Sequence, residues 1–262
     1  MKYNNLFDLQ GKVAVVTGAA GLIGKEIVRG LAEHGAVVVI GDVNSRSGKA
    51  IAGEFADLNM KVIFKHLDIS KEGSVRELIT FVVKKYGKID IWVNNAYPRT
   101  KDWGLNFEDI PLASWRKNID MHLNGYFICC QNIAEYMKKR KTGSVINMAS
   151  IYGIAGPDFS IYEGTEMTMP AAYSVIKGGI VNFTRYLASY YGKYKVRVNS
   201  VSPGGVYNKQ PDAFVKRYIR KTPLGRMAVE KDIIGAVVYL ASDASEYVTG
   251  HNLVVDGGWS IT

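Results

Sequence analysis

The chain has 262 residues, 47% apolar and 22% charged, an ordinary globular composition that excludes a disordered tail protein, a collagen-like repeat and a membrane bundle. No stretch reaches the roughly 18 uninterrupted apolar residues that a bilayer span requires, and MKYNNLFDLQGK at the N-terminus holds no apolar signal core, so a soluble, cytoplasmic protein is expected. The formal charge of +9 biases it toward anionic partners without naming one, while the adjacent Cys129 and Cys130 are poorly placed for a disulfide and fit a reducing compartment.

Short β-branched runs alternate with helical patterns along the chain. Strands are expected at Val13 to Thr17, Val37 to Gly41, Val62 to Lys65, Ile89 to Asn94, Ser144 to Met148, Val196 to Val201 and Leu253 to Val255. Between them, Ile23, Ile27 and Leu31 recur at helical spacing, as do Val75, Leu78, Ile79 and Val82, and then Ile176, Ile180, Phe183 and Leu187. Parallel strands need helical crossovers, so this order predicts an α/β fold: one doubly wound sheet of about seven parallel strands, helices on both faces, in a single domain over residues 1–262. Two irregular stretches exceed ordinary connections, an insertion over about 153–170 and a flap over about 203–226. Loops of that length inside a compact domain are usually functional.

In VAVVTGAAGLIG, Gly18, Gly21 and Gly24 follow the first strand directly and open the first helix. Glycines there permit a tight turn and let backbone N–H groups and the helix N-terminus approach a pyrophosphate, although an ordinary tight βα turn has the same composition. Asp42, roughly 20 residues on at the end of the second strand, offers a carboxylate to ribose hydroxyls and repels a 2′-phosphate. NAD is therefore the expected cofactor, and NADP the lesser choice unless Arg46 turns in to compensate.

With these residues in place the chain resembles a short-chain dehydrogenase/reductase over nearly all of its length, from Gly11 to the C-terminal VTGHNLVVDGG. The resemblance is carried by HLDIS with Asp68, VNNAY with Asn94 to Tyr97, YSVIK with Tyr173 to Lys177, and SPGGV with Ser202 to Val206, in the family's order. It implies a Rossmann-type fold and a cofactor site of Gly18, Gly21, Ile23, Gly24, Asp42, Asp68, Ile69, Asn95, Ala96, Pro203, Gly204 and Val206, with Tyr173 and Lys177. It implies catalysis by Ser150, Tyr173 and Lys177 without a metal. It also implies a homotetramer or homodimer in which the helix of Val175 to Tyr191 and the long helix before it pack between subunits. Four departures stand out. TGAAGLIG has the glycine spacing of the extended branch, which includes nucleotide-sugar epimerases and dehydratases, although length and the other motifs favour the classical branch. Tyr97 replaces the glycine of the family's NNAG. His122, in IDMHLNGYF, stands where the family carries a catalytic asparagine, and Asn208 stands where a threonine commonly meets the nicotinamide amide.

A free tyrosine titrates near pH 10, so acid–base work near neutrality requires help for its anion. Lys177 lies one helical turn after Tyr173, on the same helix face, where its ammonium is expected to lower the tyrosine pKa and, by the resemblance, to hold the nicotinamide ribose. Ser150 ends the fifth strand at the carboxyl edge of the sheet and is expected to hydrogen-bond the substrate oxygen; Ala149 has no hydroxyl. His122 has two readings, a partner in proton relay to the lysine or a buried histidine satisfied by backbone.

For the substrate, Tyr97, Arg99, Lys101 and Trp103, with a flap carrying Lys209, Lys216, Arg217, Arg220, Lys221 and Arg226 against Asp212 alone, predict a phosphorylated or nucleotide-linked sugar. A solvated basic surface is the alternative. In the insertion, Asp158, Tyr162, Glu163 and Glu166 are candidates for binding hydroxyls. NNAYPRTKDWG, SIYEGTEMTMP and MHLNGYF resemble oxidoreductases of bacterial surface-sugar and flagellin-glycosylation pathways, including those leading to legionaminic acid. The expected function is thus NAD(H)-dependent interconversion of a secondary alcohol and a ketone on a small molecule. Neither a membrane nor nucleic acid is an expected partner, since the basic residues form no aromatic-interleaved strip. Two alternatives stay open: an NAD-retaining sugar epimerase or dehydratase, which release of NADH during turnover opposes, and a non-catalytic nucleotide-binding protein, which would not need Ser150, Tyr173 and Lys177 together.

Overall fold

In the computed structural model, which describes residues 5–262, the apolar runs pair into one parallel sheet; the first four residues of the expected domain lie outside the described residues. The strands are β1 (Val13–Thr17), β2 (Val37–Asp42), β3 (Val62–His66), β4 (Ile91–Asn94), β5 (Gly143–Met148), β6 (Val196–Pro203) and β7 (Asn252–Val255), in the order β3-β2-β1-β4-β5-β6-β7. The helices are α1 (Leu22–Glu33), α2 (Ser45–Asp57), α3 (Glu72–Tyr86), α4 (Leu112–Asn118), α5 (Gly125–Arg140), α6 (Ala171–Tyr191), α7 (Asp212–Arg220) and α8 (Lys231–Ala241). All five residues of β1 are buried, as a strand covered on both faces must be. Val13 and Val15 face one core with Leu78 of α3, Ile133 of α5 and Ile180 of α6, while Ala14 and Val16 face the other with Ile27 and Leu31 of α1 and Val237 of α8.

The strands depart from expectation mainly at their ends. Regular pairing in β4 starts at Ile91 rather than Ile89; just before it, the Asp90 side chain accepts from the Val13 N–H (2.9 Å) and takes Arg140 as an ion-pair partner (3.1 Å). Strand β6 continues to Pro203, in register with Val255 of β7. Cys129 and Cys130 are both free and buried on α5, and burial pushes the Cys130 thiol up to about 12.

Strand order reverses between β2 and β4 on the two sides of β1, and in open α/β sheets the crevice for a ligand lies beyond the carboxyl ends of strands at such a switch point. A buried polar chain fixes α6 over that edge. Trp92 Nε1 donates to Asn94 Oδ1 (2.7 Å), Asn94 Nδ2 to Asn147 Oδ1 (2.8 Å), Asn147 Nδ2 to Thr184 Oγ1 (2.9 Å), and Thr184 Oγ1 to the Ile180 carbonyl (2.8 Å). No helix among the described residues is long and apolar enough to cross a membrane, and no cluster of His, Cys, Asp and Glu among them has metal-binding geometry.

Candidate active site

The turn between β1 and α1 sits at the switch point. Gly18 adopts φ +61° and packs so closely on the backbone of Ala96 that a Cβ would collide with it. The loops after β1 and β4 are stitched together around it: Thr17 Oγ1 accepts from the N–H groups of Asn95 (3.0 Å) and Ala96 (3.1 Å), and Asn95 Nδ2 donates to the Gly18 carbonyl (3.0 Å). Asn95 therefore acts through its amide as a clamp on the glycine turn. Gly21 caps α1, whose first turn holds no acidic side chain, so its unpaired N–H groups face the crevice free of competing charge.

A cleft of about 1000 Å³ opens here. One end is lined by Gly18, Gly21, Ile23, Gly24, Asp42, Asp68, Ile69, Asn95 and Ala96, and Pro203, Gly204 and Val206 line the far side of the sheet edge. The Asp42 carboxylate is buried and oriented by the N–H groups of Ala20 (3.0 Å) and Asn44 (2.8 Å), while Arg46 is exposed and outside the lining. Burial acts to raise the Asp68 pKa but is outweighed by hydrogen bonds from Ser70 and Lys71, which hold it below the usual carboxylate range. The dimensions, the helix N-terminus and the carboxylate at the end of β2 fit a nicotinamide dinucleotide.

At the other end the structure brings together Ser150, Tyr173 and Lys177. Ser150 follows β5 and accepts from the Tyr152 N–H (3.2 Å). The next turn is pressed against α6 at Gly153, where a Cβ would strike the Lys177 carbonyl, and this absence of a side chain sets Ser150 beside Tyr173. Burial raises the Tyr173 pKa, and a hydrogen bond with Ser150 opposes it. Lys177 Nζ donates to the Met148 carbonyl (2.7 Å) and lies 5.5 to 6.0 Å from the ring centres of Tyr173, Tyr126 and Tyr97, and burial pulls its pKa down to about 7. The expected lowering of the tyrosine pKa by this ammonium is thus reversed in the chain itself. The cation is committed to a carbonyl and is itself weakened by desolvation, so burial decides the tyrosine's direction.

His122 lies on a π-helical turn, Ile119–Asn124, between α4 and α5, a distortion found often at functional sites. It is fully buried, packed edge-on against Tyr97 (5.4 Å) and tilted on Tyr126 (5.3 Å), and neither ring nitrogen has a hydrogen-bond partner among the described residues. The reading as a histidine satisfied by backbone does not hold. Burial, with the neighbouring Lys177 charge, keeps its pKa well below the ordinary value, so the ring is neutral.

The substrate residues divide. Tyr97 and Arg99 line the cleft, but Lys101 is exposed and does not. Nor do the basic residues of the flap, because α7 turns its apolar stripe inward. Phe214 and Tyr218 face the cleft, Lys221 pairs with Asp158 of the insertion, and Arg217 donates to the Glu163 carbonyl. Of the four insertion candidates only Tyr162 lines the cleft; Asp158 is engaged by Lys221, and Glu163 and Glu166 are exposed. Asn208 lines it as well. Sequence reasoning missed Tyr152, Met167, Met169, Phe214, Tyr218 and Met227, which form the roof. The spacing of Phe214 and Tyr218, one helical turn apart on a helix that also carries Lys216, Arg217 and Arg220, was the available signal.

Comparison with known proteins places this geometry. A family model described as enoyl-(acyl carrier protein) reductase matches residues 18–260. The post-translational flagellin modification protein A of Campylobacter coli is 32% identical over 255 residues, covering 97% of this chain and 100% of that one. The trans-4-hydroxycyclohexanecarboxylate dehydrogenase of Sinomonas cyclohexanicum is 36% identical over 254 residues, covering 94% and 92%. A short-chain dehydrogenase from Leptospira borgpetersenii, solved with bound NAD+, superposes with a TM-score of 0.87 at 32% identity over 99% of this chain and 97% of its own. The chain belongs to the short-chain dehydrogenase/reductase family and is an oxidoreductase of CH–OH groups that uses a nicotinamide nucleotide.

Proposed function

We propose that the chain interconverts a secondary alcohol and a ketone with NAD(H) rather than NADP(H), in a reducing, cytoplasmic setting. The observation that carries the reading is the meeting of Ser150, Tyr173 and Lys177 at one end of a cleft whose other end closes on Asp42. The nicotinamide nucleotide, when bound, supplies the hydride acceptor or donor. Ser150 holds the substrate oxygen, and the Tyr173 hydroxyl gives or takes its proton. Lys177 Nζ, 5.5 Å from the Tyr173 ring centre, stabilises the Tyr173 anion electrostatically while it is an ammonium, a state that burial confines to pH values near and below about 7. Asp42 with both oxygens oriented, and Arg46 exposed and outside the lining, support NAD: a 2′-phosphate would meet a carboxylate with no compensating cation lining that end of the cleft.

Substitution supplies the test. Tyr173→Phe is expected to lose 10²-fold or more in turnover, in line with the usual size of acid–base catalysis, while NADH still titrates at its normal affinity. Wild type is expected to bind NADH more tightly than NADPH, and Asp42→Ala to erode the difference. Normal turnover in the phenylalanine variant removes Tyr173 as proton donor, and equal affinities in the wild type remove the role given to Asp42.

His122 is assigned as a positioning residue that relays protons to Lys177: a neutral imidazole offers one donor and one acceptor, and both nitrogens are unpartnered beside the lysine. His122→Phe is expected to lower kcat and shift its pH profile with KM little changed, and His122→Asn to restore both. An unaltered pH profile in the phenylalanine variant refutes the relay. The flagellin-modification relative supports a place in surface-glycan biosynthesis, and exposed aromatic residues on α6 support assembly as a homodimer or homotetramer.

A further inference from the structure

The loop that leaves β6 stands beside the reacting groups. Strands β5 and β6 pair in register with Met148 opposite Val201, so Ser150 and Pro203 leave the sheet edge at the same level. A dinucleotide with its adenosine ribose on Asp42 of β2 crosses β1 and β4 to bring its reactive ring to Tyr173. That ring then lies against Gly204 and Val206, which line the cleft beyond β5.

Three hydrogen bonds hold the backbone of this loop. The Gly204 N–H donates to the Val255 carbonyl at the end of β7 (3.0 Å), and the Gly205 carbonyl accepts from the Ala228 N–H (3.0 Å). The third differs in kind: the Gly205 N–H donates to the hydroxyl oxygen of Tyr218, a side chain that reaches in from α7 in the roof. Tyr218 is fixed from its other sides. It is buried, its ring is stacked on Trp259 with centres 6.0 Å apart, and it packs on Phe214 at 5.7 Å. A Cβ on Gly204 would come within 3.0 Å of the phenol oxygen, and one on Gly205 within 2.8 Å of the ring, so the glycine pair of SPGGV leaves the room that this phenol fills. Burial, opposed by the Gly205 N–H, pushes the hydroxyl up to about 12, so near neutrality it is uncharged and acts by geometry.

From this arrangement we infer that Tyr218 is a positioning residue for the cofactor: its hydroxyl holds the Gly205 N–H, and with it the backbone of Gly204 and Val206, where the nicotinamide half of the dinucleotide lands. The inference rests on the nicotinamide reading of the cleft and adds to it a side chain of the substrate roof. Without the hydroxyl, a partly buried N–H loses its partner, and the loop lowers its energy by shifting to find another. The adenosine half is untouched, because Asp42 and the turn before α1 lie across β1, β4 and β5 from this loop.

Two ligands that differ by the nicotinamide ring, NAD+ and ADP-ribose, test the role when titrated calorimetrically into wild type, Tyr218→Phe, Gly205→Ala and Ile219→Ala. Tyr218→Phe keeps the ring and loses only the hydroxyl. It is expected to weaken NAD+ about tenfold, the size of one hydrogen bond to a partly buried group, and to leave ADP-ribose unchanged. Gly205→Ala, whose methyl group meets the Tyr218 ring, is expected to shift the ratio of the two affinities in the same direction. Ile219→Ala, which takes apolar packing from the same helix and leaves the hydroxyl in place, is expected to keep the wild-type ratio. A merely structural role for Tyr218 weakens both ligands alike or neither. The inference is overturned by a wild-type ratio in Tyr218→Phe or Gly205→Ala, by an equal loss of both ligands, or by the same change of ratio in Ile219→Ala. Failure of the nicotinamide reading shows separately, as a wild type that binds neither ligand.

Discussion

Lys177 is the residue whose burial conflicts most with stability. Its ammonium is wholly enclosed, it has one carbonyl partner, and desolvation drops its pKa to about 7 from an unfolded value near 10.4. Between those two values the unfolded chain binds the additional proton, so wild-type stability rises with pH through that window, and below pH 7 the full penalty of a buried charge is present. Lys177→Met is therefore expected to be more stable than wild type by about 2 kcal/mol or more at pH 6, with the advantage shrinking toward pH 10, while turnover is lost. Urea denaturation at pH 6 and pH 9 reads both sign and trend, and an advantage that grows with pH contradicts the account. At this scale the sequence was legible where chemistry follows from spacing: Tyr173 and Lys177, one turn apart, do share a face. It was not legible where burial decides, which is why the direction of the Tyr173 shift and the unpartnered nitrogens of His122 appear only in three dimensions.

At the scale of elements, the polar chain from Trp92 through Asn94 and Asn147 to Thr184 ties α6 to the centre of the sheet, and α6 carries both Tyr173 and Lys177. Thr184→Val removes the hydroxyl and leaves Asn147 Nδ2 buried without an acceptor, a defect that typically costs about 1–3 kcal/mol. A lower denaturation midpoint, with kcat reduced more than NADH affinity, is the expected result; a variant of wild-type stability shows the chain to be dispensable. The strands were readable from their β-branched runs because each lies between two apolar layers, and the helices from their period. The flap was read by charge alone. Its helix α7 is amphipathic, so the basic residues that dominate the sequence stand on one face while Phe214 and Tyr218, fewer and quieter, line the cleft.

Across the whole molecule, Phe183, Tyr186 and Tyr190 stack in succession along α6 at 6.5 and 6.2 Å, Phe127 of α5 packs beside them at 6.1 Å, and Tyr186 remains 63% exposed. A second copy of the chain is the occupant expected on this face. Tyr186→Glu is expected to shift the particle to half its mass or less by light scattering, and an unchanged mass sets the interface elsewhere. Floor and roof of the cleft differ in kind. The floor is sheet edge and α6, held by ladders of backbone bonds, and carries the proton chemistry. The roof is the insertion and α7, closed on each other by Lys221 with Asp158 and Arg217 with the Glu163 carbonyl. Each half of that closure lies in a different segment of the chain, so removing Lys221 or Asp158 leaves the other's charge unpaired. The two segments therefore make one cover over the cleft, and replacing either member of the Lys221–Asp158 pair loosens that cover while leaving the floor in place.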